Sequence, residues 1–172
     1  FTNPDGKKDY LSISVEIRKE KGEAFSSVKG LLRQFEIMYV IADEKDVVKL
    51  RSNYRKDQVY VYPIKASKEK IRAVFVDMLE RTNRLREKPE FYNTLTNKCT
   101  ENIAYHVNKI SPRKIPLNLT WILPSESDHF VYDLGLIDTD LPFFEARKKF
   151  LINERAEKYA DDPEFSQKIR GW

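Results

Sequence analysis

The hydrophobic period of this 172-residue chain changes at Ser67, and that change limits the folds available to it. Over residues 10–17, apolar and polar residues alternate, which predicts a strand with one buried face. From Ser67 to about Pro89, apolar residues recur three and four positions apart, which predicts an amphipathic helix capped by Ser67. Residues 35–41 are mainly β-branched and aromatic, which predicts a second strand. The chain is therefore predicted to have an α+β fold.

The length of the chain favours a single globular domain. A chain of this size buries about 70% of its extended-chain surface on folding, enough for a core without disulfides or metal ions. We predict one domain over residues 1–172, lacking its first strand upstream of Phe1 and ending in a loosely ordered polar tail over residues 161–172.

The 31 basic and 27 acidic residues are interspersed. Because the aromatic residues are not interleaved with a basic stripe, we expect no nucleic-acid partner.

The chain also lacks the side chains that most metal sites and disulfides need. It has one cysteine and two histidines, without zinc-ligand spacing, so we expect no metal and no cofactor. Its longest apolar runs are far shorter than a membrane span. Membrane segments are therefore expected outside these residues.

The cysteine, Cys99, lies where another helix is predicted to begin. Asn97 is a suitable N-cap, and apolar residues then recur at Cys99, Ile103, Val107 and Ile110. Backbone N–H groups and the helix dipole at this position favour a thiolate, which predicts a lowered pKa and a nucleophilic sulfur. The alternative is a small side chain that packs the first turn of the helix.

Five blocks of sequence resemble the bacterial Lnb N-terminal periplasmic domain family. They are YLSISVEIRKE (residues 10–20), RQFEIMYV (33–40), LRSNYR (50–55), FYNTLTNKCT (91–100) and INERA (152–156). The resemblance implies a papain-like, permuted NlpC-type α+β fold. In that fold a helix with the nucleophilic cysteine packs on an antiparallel sheet that carries a histidine. Additional helices are expected at the C-terminal end, and the sequence itself predicts a third helical region over residues 121–132 and another helix over residues 144–160.

The resemblance also implies a reaction and a location. The namesake of the family is an apolipoprotein N-acyltransferase, which moves an acyl chain from a phospholipid to the amino-terminal cysteine of a lipoprotein through an enzyme thioester. We expect a cell-envelope acyltransferase in the bacterial periplasm or at the outer face of the inner membrane, as a domain of a membrane-anchored protein, with phospholipid and lipoprotein as substrates. Two alternatives stay open: a cysteine hydrolase or amidase acting on peptide or cell-wall amides, and a non-catalytic binding or scaffold domain.

The resemblance places the histidine base on a strand just upstream of Phe1. The two histidines of the chain are poor substitutes for it. His106 lies seven residues beyond Cys99 on one helix, about 10 Å along its axis, and is expected to be a partly buried helix residue. His129 can approach the sulfur only through tertiary folding.

The remaining site residues are expected on the strand beside that histidine and next to the cysteine. Glu16 or Ser14 would orient the imidazole as the third member of a triad, although Glu16 is equally well explained as a solvent-facing residue or an ion-pair partner of Arg55. Tyr92, Asn93 and Asn97 flank the thiolate and offer donors for an oxyanion. For Tyr92 and Asn97, the alternatives are a core aromatic and a helix cap.

Overall fold

The computed structural model describes residues 1–24, 26–94, 96–112, 114–116 and 127–171. Two strands and eight α-helices occur in these ranges, in the order β1 (Leu11–Arg18), α1 (Ser27–Leu31), β2 (Glu36–Asp43), α2 (Glu44–Lys49), α3 (Lys68–Glu87), α4 (Cys99–Ile110), α5 (Ser127–Asp133), α6 (Phe143–Phe150), α7 (Asn153–Lys158) and α8 (Phe165–Lys168). A π-helix, Leu50–Tyr54, continues from α2. Part of the third helical region predicted after α4, residues 121–126, lies outside the described residues.

The two strands pair as an antiparallel sheet, which confirms the α+β prediction. Both predicted strands are present, each displaced by one or two residues. Alternation is clearest in β2, where Ile37 and Tyr39 are buried and Met38 between them is exposed. The papain-like arrangement has no support beyond this coarser class and stays a prediction.

The chain divides into two compact units. The first contains the described residues of Phe1–Ile13, Ile41–Ile64 and Ile137–Trp172, and the second those of Ser14–Val40 and Lys65–Leu136. The second unit holds Cys99 and every other predicted site residue.

Helices α3 and α4 pack against each other in the second unit. The predicted cap of α3 is confirmed, since Ser67 Oγ accepts a hydrogen bond from the Lys70 N–H at 3.4 Å. The helix ends at Glu87, and its C-cap Lys88 is extended because proline disfavours helical backbone in the preceding residue. Its apolar face buries Met78 and Leu85, two turns apart.

The N-cap predicted for α4 was displaced by one residue. Lys98, not Asn97, precedes the helix, and the Glu101 carboxylate accepts the Lys98 N–H at 3.3 Å. An acidic side chain in the first turn satisfies one exposed donor and complements the helix dipole. Cys99 is therefore the first residue of α4, as the nucleophile prediction requires.

The first unit is built around an apolar core that includes the C-terminal segment. Val48, Ile152, Ala156, Phe165 and Ile169 are buried together. Within the expected polar tail, Phe165 and Ile169 belong to this core and are 1% and 0% exposed. The expectation of a loose tail came from the polar composition of this segment. Phe165 and Ile169 are four residues apart, a spacing that places both on one face of a helix.

A single helix predicted over residues 144–160 is instead two helices, α6 and α7. The break falls at Leu151 and Ile152, where the Ile152 N–H donates to the Val59 carbonyl at 2.9 Å and Leu151 forms an antiparallel bridge with Tyr60. Tertiary hydrogen bonds to an extended segment thus interrupt a helical pattern that the sequence alone continues.

Candidate functional site

Cys99 is partly buried at the start of α4. Burial raises the pKa of its thiol, and the nearby Glu16 carboxylate raises it further. The N–H groups of Thr100 and of Cys99 itself act in the opposite direction, as does the Lys98 ammonium. The start of the helix lowers the pKa of Cys99 as expected, but desolvation outweighs this effect. The thiol pKa is therefore raised, whereas the sequence predicted that it would be lowered.

Glu16 lies close enough to Cys99 for its charge to act on the sulfur. It stands on β1, and Ser14 is two residues away on the same face of that strand; both are partly buried. The structure therefore brings Cys99 and Glu16 together, whereas it shows no hydrogen bond from Ser14 to the sulfur among the described residues. The roles predicted for Glu16 and Ser14 in orienting an imidazole stay predictions.

Tyr92 also lies near Cys99. Burial raises the pKa of its phenol, and the charges of Cys99 and Glu101 contribute to the increase. The Tyr92 N–H donates to the Phe35 carbonyl at 2.7 Å, which anchors this residue beside β2. Tyr92 is thus a neutral phenol close to the sulfur, and it keeps a donor that an oxyanion could use.

The amides of Asn93 and Asn97 stabilise the loop before α4. The backbones of these two residues exchange hydrogen bonds at 3.2 and 3.0 Å. Asn97 donates to the Phe91 carbonyl at 3.0 Å and accepts from buried Asn102 of α4 at 2.9 Å. Asn93 donates to the Leu31 carbonyl at 3.1 Å. These bonds give both amides a structural role, and their predicted oxyanion role stays a prediction.

The two histidines differ sharply in environment. His129 is largely exposed on α5, with its Nε2 3.7 Å from Asp133. His106 is fully buried rather than partly buried as expected. Its Nδ1 lies 2.5 Å from Asp77 Oδ2 and its Nε2 lies 2.7 Å from the Tyr39 hydroxyl. Because a carboxylate only accepts, Nδ1 carries the proton and Nε2 accepts from Tyr39.

This histidine belongs to a polar network that the sequence analysis missed. Lys109 donates to the other oxygen of Asp77 at 2.8 Å. Arg81 donates to Glu90 at 2.8 Å, and its charge acts on the Tyr39 phenol. One signal was available: Asn102 and His106 are four residues apart on α4, so a polar stripe lies on a buried helix face.

The charges of the network follow from its burial and pairing. Burial lowers the pKa of His106 against the opposing pull of Asp77. Burial would raise the pKa of Asp77, but the hydrogen bonds from Lys109 and His106 hold it below its usual value. Burial raises the pKa of Tyr39. At neutral pH the network therefore contains a neutral histidine, a carboxylate and a neutral phenol.

Two negative findings bound the chemistry of the described residues. They hold no group of three His, Cys, Asp or Glu side chains placed to bind a metal ion. In this part of the chain no helix is both long and apolar enough to cross a membrane.

Comparison with known proteins identifies the family. No curated protein and no solved structure matches the chain. A family model described as the Lnb N-terminal periplasmic domain matches residues 1–125, a range that includes Cys99 and all the predicted site residues. The chain therefore belongs to the Lnb N-terminal periplasmic domain family, a family of periplasmic domains.

Proposed function

We propose that this periplasmic domain is a cysteine acyltransferase that forms a thioester on Cys99. The observation that carries the proposal is the position of Cys99: it is the first residue of α4, it is only partly buried, and Glu16 and Tyr92 are near enough to interact with it electrostatically. The Thr100 and Cys99 N–H groups at the helix start supply donors for an oxyanion. Membership of the family supports the same reaction class.

The raised pKa of Cys99 requires a base during attack. Within the described residues, His106 is already bonded on both ring nitrogens, so it is not available for this role. We assign the base to the histidine that the resemblance places upstream of Phe1. The Glu16 carboxylate by itself disfavours a thiolate on Cys99. An imidazolium located between the two would stabilise both anions and so reverse this effect.

The chemistry then has two balanced steps. The thiolate attacks the ester carbonyl of the donor, an S–C bond forms, the C–O bond breaks, and the protonated base returns its proton to the leaving alkoxide. An amine next attacks the thioester, a C–N bond forms, the C–S bond breaks, and the base transfers the amine proton to the leaving thiolate, which regenerates the Cys99 thiol. For the namesake reaction, the donor is a phospholipid and the acceptor is a lipoprotein amine.

An apolar surface beside the loop that precedes Cys99 supports a lipid donor over a peptide. Helix α1 exposes Val28, Leu31 and Leu32, at 64%, 44% and 64%. Exposed aliphatic side chains grouped on one short element are typical of contact with apolar ligands or partners. The helix is joined to the loop before Cys99 by the hydrogen bond from Asn93 to Leu31. An acyl chain lying on α1 would extend from an ester near Cys99.

Mass spectrometry of the natural full-length protein tests the proposal. After incubation with vesicles of diacyl phosphatidylglycerol, one acyl chain should be found on Cys99, and neutral hydroxylamine should remove it as expected for a thioester. The Cys99→Ser variant should carry no hydroxylamine-labile adduct. Cleavage of peptide amides without any lipid adduct would establish the amidase instead. Full function of Cys99→Ser in cells would establish the scaffold.

A further inference from the structure

His106 connects three elements of the second unit. It stands on α4, its Nδ1 donates to Asp77 on α3, and its Nε2 accepts from Tyr39 on β2. The imidazole is fully buried, and the ring of Tyr39 meets it edge-on at 5.8 Å between centroids. Two directed hydrogen bonds to different elements limit both the rotation and the sliding of α4.

Through Tyr39, His106 links the helix that carries Cys99 to the sheet that carries Glu16. Cys99 lies seven residues before His106 on α4, and a helix of 12 residues transmits displacement along its axis as a rigid rod. Tyr39 belongs to β2, which pairs with β1, the strand of Glu16. The hydrogen bond from Tyr39 to His106 is therefore a direct link between the helix that carries the sulfur and the sheet that carries the carboxylate.

We propose that His106 is a positioning residue, which holds Cys99 in register with Glu16 through its bonds to Tyr39 and Asp77. The inference rests on the proposed function for its catalytic meaning, because Cys99 must face the polar side of β1 to react. His106 itself does not touch the sulfur.

Other charged groups around the imidazole maintain this arrangement. From α4, Lys109 donates to Asp77; from α3, the Arg81 charge acts on Tyr39; and Glu90 accepts from Arg81. Lys109 also lies 4.5 Å from the centroid of the exposed Tyr105 ring. Because each carboxylate has a cationic partner, neutral His106 is free to hold its two directed bonds.

The test uses the Tyr39→Phe variant, which keeps the ring and removes only the hydroxyl that His106 accepts from. The pH dependence of iodoacetamide alkylation reports the pKa of the Cys99 thiol without any need for activity. If α4 loses its register, the sulfur becomes better solvated and further from Glu16. The midpoint should then fall by about 0.5 to 1 pH unit, a change of roughly three- to tenfold in thiolate at neutral pH.

Matched variants separate positioning from general stability. His106→Asn, which keeps a donor near Asp77 but does not reach Tyr39, should shift the midpoint in the same direction. His129→Asn, on the exposed histidine of α5, should leave it unchanged. Lowered melting temperatures with an unshifted alkylation midpoint would overturn the proposal and leave His106 a purely structural residue.

The same measurements distinguish this inference from the acyltransferase proposal. Alkylation concerns only the position and ionisation of the sulfur. A shifted midpoint without any acyl adduct in the parent protein would retain the positioning role and reject the acyltransferase.

Discussion

At the scale of single residues, the pKa of Cys99 depends on opposing effects of its surroundings. The helix start stabilises a thiolate, while desolvation and the Glu16 carboxylate oppose it, and the pKa of the thiol rises. A resting cysteine of this kind is mostly protonated at neutral pH. It is therefore protected from oxidation until a base and a substrate arrive.

Replacement of Glu16 by glutamine should increase the reactivity of Cys99 in the isolated domain. Removing the negative charge removes one cause of the raised thiol pKa, so alkylation by iodoacetamide at pH 7 should be several-fold faster. Glu20→Gln, on the exposed loop after β1, is the matched control and should have no effect. An unchanged rate in Glu16→Gln would show that the Glu16 charge does not act on the sulfur.

The buried His106 should make stability depend on pH. Because its pKa is lowered from 6.5 in the folded state, the unfolded chain binds this proton more readily. The free energy of unfolding should thus be greatest above about pH 6.5 and should fall as the pH decreases toward 5. The lowered pKa of Asp77 adds a further loss at more acidic pH.

Urea unfolding at a series of pH values measures this dependence. The decrease between pH 7 and 5 should be shallower in His106→Gln, which has no group titrating there. His129→Gln should keep the parent slope. If the free energy of unfolding changes equally with pH in the parent and in His106→Gln, the pH dependence does not arise from His106.

At the scale of elements, the loop that precedes Cys99 packs closely against α1. A Cβ added at Gly30 would lie 2.5 Å from Thr94 Oγ1 and 3.2 Å from the Tyr92 ring. Both contacts are shorter than ordinary van der Waals distances. The backbone of α1 therefore approaches the loop before Cys99 as closely as only glycine permits.

Gly30→Ala should destabilise the domain although alanine is the better helix former. Helix propensity favours the substitution by about 1 kcal/mol, whereas overpacking costs roughly 1–3 kcal/mol and also displaces Tyr92. Chemical denaturation should show a net loss of stability. Adding Thr94→Ala, which removes the nearest atom, should restore part of it. A stabilised single variant would show that the loop moves away at little cost.

At the scale of the whole molecule, the family match and the packing have different boundaries. The family model covers residues 1–125. The core of the first unit joins Val48 from within that range to Ile152, Ala156, Phe165 and Ile169 beyond it. The C-terminal segment is therefore needed to complete this core, since Val48 would otherwise lose most of its apolar neighbours.

Two phenylalanines test this view of the C-terminal segment. Phe165 is 1% exposed and Phe144 is 79% exposed. Phe165→Ala should lower the free energy of unfolding by about 3–5 kcal/mol because it leaves a cavity, while Phe144→Ala should change it by less than about 0.5 kcal/mol. Similar effects in urea unfolding would contradict the packing of residues 161–171.

What the sequence by itself determined is local in origin. Alternation at residues 10–17 and helical spacing after Ser67 predicted the strands and α3, because the periods of strand and helix follow from backbone geometry alone. The matching blocks identified the family, and the helical spacing that begins at Cys99 placed the sulfur at the start of α4.

Only the tertiary structure decided the properties that depend on contacts distant in sequence. Burial and Glu16, 83 positions away, reversed the expected direction of the Cys99 pKa. Asp77 and Tyr39, on two other elements, made His106 the centre of a buried network. Desolvation and hydrogen bonding depend on which segments meet in space, and a periodic pattern along the chain does not encode that.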